Sequence, residues 1–215
     1  MLIAGNYSKH KYEGRNPCHW RLSMKNNLNA ATVIARTRCW IERVVVELNL
    51  CPFARKPFMG GQVRYVVSEA KQTAILLEDL HKELEYLRHT DAAEVETTVL
   101  ILPYVLNDFL DYNDFLGVVD ALIDEEGYQG EFQVASFHPD YQFGGTHVDD
   151  AENYTNRSPY PALHLIREAS IGRAVAVFPQ PEEIPERNIR TMEKMGAERM
   201  REILDECMKI EVDEA

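Results

Sequence analysis

The segment from Asn153 to His164, NYTNRSPYPALH, gathers the carboxamides of Asn153 and Asn156, the hydroxyls of Thr155 and Ser158, the guanidinium of Arg157 and the imidazole of His164. Uncharged donors and acceptors in such density orient a polar ligand or rigidify a loop through side-chain turns. The Arg157 fork suits a carboxylate or phosphate bidentately, and Asp149, Asp150 or Glu152 would satisfy it internally. On this reading the segment is one wall of a polar site that takes a small anionic molecule.

Upstream, His138 is followed by Pro139 and Asp140. An imidazole with a carboxylate two residues away has the makings of a general acid or base, or of a hydrogen-bonded post at a strand end. His164, with Arg167 and Glu168 beyond it, either joins the substrate-binding set or makes an i to i+4 contact with Glu168 on a solvated helix. Cys51 in LNLCPFARKPF is a buried inert thiol or a nucleophile, the latter requiring its loop to meet His138. His138, Asp140, His147, Asp149, Asp150 and His164 offer nitrogen and oxygen donors for a metal, yet none falls in a fixed ligand spacing. The chain also lacks GxxxxGK[ST], GxGxxG and GxSxG, which removes phosphate-loop, dinucleotide and hydrolase-elbow chemistry; the cofactor stays open.

Periodicity supplies the elements that must carry these groups. Val33, Thr37, Trp40, Ile41, Val44, Val45 and Leu48 recur at three and four and predict a helix over 30–48, ended by Pro52. QVRYVV at 62–67, TTVLIL at 97–102 and EFQVASF at 131–137 predict strands. Helical stripes separate them: Thr73 through Leu87, then Phe109 through Ile123, with Asn107 as the expected cap. Strands alternating with helices imply an α/β fold, a single domain with a small mostly parallel three- or four-stranded sheet and helices packed on it. Loops at the carboxyl ends of such strands form sites, and His138 lies one residue past the third strand.

After His138 the period is lost until SPYPALHLIREAS, where Ala162, Leu165, Ile166 and Ala169 predict a helix capped by Ser158, with Arg157 at its positive end. ASIGRAVAVF fits helix or strand, and ERNIRTMEKMGAERMREILDECMK predicts one long helix. Residues 1–23 have no periodicity and no signal-peptide pattern, so they are expected to be a flexible extension of a domain spanning 24–215.

The totals limit the partners. In 215 residues, 45% hydrophobic, 35 acidic side chains face 23 basic ones for a net charge of -12. That field repels phosphate backbones and anionic lipid, so neither nucleic acid nor membrane is an expected partner. Four cysteines without a CxxC pair point to a reducing cytoplasm.

LNLCPFA at 48–54, FHPDYQF at 137–143 and NYTNRSPYPALHLIRE at 153–168, preceded by Trp40, together resemble a bacterial domain of unknown function family, DUF1415, over roughly Ala30 to Met208. That resemblance brings no activity and no catalytic residue. The expectation drawn from the residues is a cytoplasmic small-molecule enzyme. In it His138 and Asp140 serve as acid/base pair, and Asn153, Thr155, Asn156, Arg157, Ser158, His164 and Arg167 bind an anionic substrate. A non-catalytic metabolite- or protein-binding module and a metal-dependent protein are the alternatives.

Overall fold

The computed structural model describes residues 28–212; the extension expected over 1–23 lies outside the described residues. Helix α1, Ala30–Trp40, opens on Asn29, whose side chain accepts from the Ala31 amide at 2.8 Å. It continues as a π-helical segment, Ile41–Val46, which carries the predicted stripe on past Trp40. A short helix α2, Arg55–Met59, leads to strand β1, Val63–Val67. Helix α3, Thr73–His89, strand β2, Thr97–Ile101, helix α4, Phe109–Glu125, and strand β3, Phe132–Phe137, follow as the periodicities require. The cap of α4 is Asp108 instead of Asn107, its carboxylate accepting from the Leu110 and Asp111 amides at 2.8 and 3.2 Å.

The largest departure comes next. Residues Ala162–Arg167 form strand β4 where a helix was expected. Leu163 and Leu165 alternate toward one face while Ala162, His164 and Ile166 point to the other, and Pro161 delivers the chain already extended. The i, i+3, i+4 spacing of Ala162, Leu165 and Ile166 coexists with this period of two, and packing decides between them. ASIGRAVAV becomes helix α5, Glu168–Val177. The expected long terminal helix is two, α6, Ile184–Met195, and α7, Ala197–Met208, broken at Gly196 with φ 78° and ψ 148°.

The sheet order is β1-β2-β4-β3. β1 and β2 are parallel, and β4 runs antiparallel to both β2 and β3. The sheet is therefore mixed, in place of the mostly parallel one expected. β1, β2 and β3 still share one direction, because α3 and α4 return the chain over the same face, but β4 inserts between the second and third. A strand returning from a loop needs no crossover to pair antiparallel, so it can fill that gap directly.

Helices cover both faces. On one, Leu76, Leu80, Leu84 and Leu87 of α3 and Tyr112 and Phe115 of α4 close over Leu100, Leu163 and Leu165. These four α3 leucines are completely buried, which stabilises the fold by about 2 kcal/mol per side chain. On the other, Val33, Trp40 and Val44 meet Val99, Ile101 and Ala162, with Met192, Met200, Ile203 and Cys207 from α6 and α7. Two folds of core thus fix one sheet edge, where the carboxyl ends of β1, β2 and β3 and the amino end of β4 meet.

Candidate functional site

His138 follows β3 at that edge and is fully buried. The Asp140 backbone amide donates to its Nδ1 at 3.0 Å, so that nitrogen is an acceptor. The ring proton consequently sits on Nε2, which donates to the Leu106 carbonyl at 3.2 Å. Phe109 and Tyr112 enclose the ring with centroids at 5.3 and 5.1 Å. Both ring nitrogens thus bond within the protein, which holds the imidazole in place.

The group it holds is unusual. Leu106 has φ 57°, a left-handed conformation that a leucine seldom adopts. The loop between β2 and α4 is thereby bent back toward β3.

The polar segment is buried and turned inward. Asn153, with no exposed surface, accepts from the Phe143 amide and the Thr146 hydroxyl, both at 2.9 Å, and donates to the His147 carbonyl at 2.7 Å. Asn156 donates to the Ser136 carbonyl at 3.0 Å, and its own carbonyl accepts from the His138 amide at 3.1 Å. Arg157 is 8% exposed; its Nε donates to the Tyr141 carbonyl at 3.1 Å and its Nη2 to the Val148 carbonyl at 2.7 Å, over the Tyr154 ring. Among the described residues it pairs with no carboxylate, including those of Asp149, Asp150 and Glu152. Ser158 donates to the Tyr160 carbonyl at 2.6 Å, and no helix follows it, which removes the positive helix end expected beside Arg157. Thr155 is half-buried in a 3-10 turn, Ala151–Thr155. These side chains brace the loop 138–157 from within, because each backbone group it buries needs a partner.

His164 stands in β4, so the expected helical contact with Glu168 does not exist. The Thr97 hydroxyl donates its proton to the Leu165 carbonyl, so at 2.8 Å it can only accept from His164 Nε2. Burial pushes the His164 pKa down to about 4, leaving a neutral ring with its lone pair on Nδ1. Arg167, at the end of β4, donates from Nη2 to the Leu87 and Thr90 carbonyls, both at 2.7 Å, closing the carboxyl end of α3. Its expected role against substrate is thus met by a structural partner.

Cys51 lies on the loop after the π-helical segment, beside α6, where Asn188 donates to the Leu50 carbonyl at 2.8 Å. Burial raises its pKa, which works against a thiolate nucleophile. No group of three or more His, Cys, Asp or Glu side chains among the described residues is placed to hold a metal.

Open space at the carboxyl edge lies elsewhere. An open cleft of about 480 Å³ separates the first turns of α3 and α4, lined by Lys71, Gln72 and Thr73 on one side and Asn107, Asp111 and Asp114 on the other, with Leu106 also in its lining. Gln72 provides no side-chain cap for α3, and that helix has no acid in its first turn. The first amides of α3 thus receive no cap from the Gln72 side chain. Sequence reasoning missed this cleft because neither a leucine at positive φ nor an uncapped helix start has a local motif; Pro103 closing β2 was the nearest signal.

The model of the family described as a protein of unknown function, DUF1415, matches residues 32–202. No curated protein and no solved structure matches the chain.

Proposed function

From the premise that the chain belongs to the DUF1415 family, whose description assigns no activity, we propose that it binds a small anionic molecule in the cleft between α3 and α4. The observation that carries this reading is Leu106, held at φ 57° in the lining of that cleft and tied through its carbonyl to buried His138. Backbone conformations of this kind cost of order 1–3 kcal/mol and persist where surrounding structure enforces them. Lys71 and the uncapped start of α3 favour an anionic group on one wall, whereas Asp111 and Asp114 favour a cationic or hydroxyl donor on the other. The ligand is accordingly small and bipolar, and about 480 Å³ is within the size range of small-molecule sites.

His138 in this reading positions the loop after β2, and Asn153, Asn156 and Arg157 brace the loop after β3. The cytoplasm is the compartment we assign, in keeping with the free thiols of Cys39, Cys51 and Cys207.

The test is thermal unfolding of the wild type and Lys71→Ala with small zwitterionic and anionic metabolites. A ligand at about 100 times its Kd should raise Tm by roughly 5–10 °C in the wild type, and this rise should vanish in Lys71→Ala, whose ligand-free Tm stays the same. A rise equal in both proteins would move the site away from the cleft. Mass spectrometry of the bound compound then separates an enzyme, which converts it, from a binding module, which returns it unchanged.

A further inference from the structure

Cys39 and Cys207 come from opposite ends of the described chain, yet hydrogen bonds on either side set them face to face. Arg36 Nε donates to the Ile210 carbonyl at 2.9 Å, and beyond Cys39 the Arg43 guanidinium reaches Glu206 at 2.5 Å. These contacts make α1 and α7 antiparallel neighbours, in a register that puts Cys39 opposite Cys207. The two side chains are close enough for Cys39 to act on the Cys207 proton. Both belong to the apolar layer between these helices, with Cys207 fully buried and Cys39 half-buried.

We propose that Cys39 and Cys207 are a redox-active pair that forms a reversible intramolecular disulfide when the protein meets a peroxide. The two thiols are not equivalent. Cys39 is the one within reach of solvent and has Arg43 one turn away. Burial first, then Cys39 beside it, push the Cys207 pKa up to about 12, so Cys207 waits as a protonated resolving thiol.

In the first step the Cys39 sulfur attacks one peroxide oxygen. An S–O bond forms, the O–O bond breaks, and the departing hydroxide leaves as water after taking a proton. In the second step the Cys207 sulfur attacks Cys39, the S–S bond forms and the S–O bond breaks, and the hydroxide released combines with the Cys207 proton. Two thiols are oxidised, and one hydrogen peroxide is reduced to two waters.

The cross-link would join the first and last helices of the described chain, closing a very long loop and restricting the unfolded state. A rise in Tm of about 10 °C is expected.

The experiment treats the reduced full-length protein with hydrogen peroxide, blocks the remaining thiols and maps its peptides without reduction. The expected result is an intramolecular cross-link between the Cys39 and Cys207 peptides, reversed by a thiol reductant, together with the higher Tm. Both should persist in Cys51→Ser and disappear in Cys39→Ser. Recovery of Cys39 and Cys207 as separate thiols or as separate sulfinic acids would overturn the proposal. So would linkage of Cys39 to Cys18 or Cys51, or a cross-link confined to a covalent dimer. Should Cys39→Ser fail to fold, the wild-type peptide map decides by itself.

Discussion

Asn153 and His164 illustrate opposite uses of a buried polar side chain. Asn153 gives its amide three partners, so Asn153→Ala should strip three hydrogen bonds and destabilise the protein by about 3 kcal/mol, measured by urea unfolding. His164 has a folded pKa near 4 against an ordinary value near 6.5. The unfolded chain therefore binds the extra proton first, and stability is complete above pH 6.5 and declines as pH falls toward 4. Between pH 7 and pH 5 the loss attributable to this ring should be about 2 kcal/mol, and His164→Gln should flatten that part of the profile in urea titrations. Neither role was written in the residue type: both side chains were candidates for substrate contact, and their hydrogen bonds to Phe143 and Thr97 decided otherwise.

At the scale of elements, β4 governs the architecture. Five of its six residues pair with β2 and all six with β3, so every sheet contact between the two halves of the fold passes through it. The break between α6 and α7 is equally specific. Gly196 has φ 78° and ψ 148°, a conformation available almost solely to glycine, although a methyl group there would meet nothing within 4 Å. Gly196→Ala should thus destabilise through the backbone alone, by about 1–3 kcal/mol, read as a Tm lowered by several degrees. Were Tm unchanged, the turn would have an alternative geometry that keeps the helices together. The expected helix over 186–209 had one apolar seam, and the positive φ at one residue turns it into two.

For the whole molecule, burial predicts a gradient of local stability. Every residue of β2 is buried and β4 lies inside the sheet, whereas α5 has no buried residue. Amide exchange followed by mass spectrometry should find β2 and β4 slowest and α5 among the fastest helices; comparable protection of α5 would imply a partner covering it. Repeating patterns along the chain were enough to establish the α/β class, the amphipathic faces of α1, α3 and α4, the strands β1 to β3 and the edge at which loops converge. Such patterns are local, since periodicity depends on neighbours within a few positions. Partner choice is not local. Asn156 answers to Ser136, Arg157 to Tyr141, His138 to Leu106 and Cys39 to Cys207, pairings made by the return of β4 and the antiparallel docking of α7 on α1. The sequence by itself determined which segments are helix or strand wherever one period stood alone. Where two periods overlapped, as in ALHLIR, and wherever a polar group had to find its partner across the fold, only tertiary packing and the need to satisfy buried backbone groups decided.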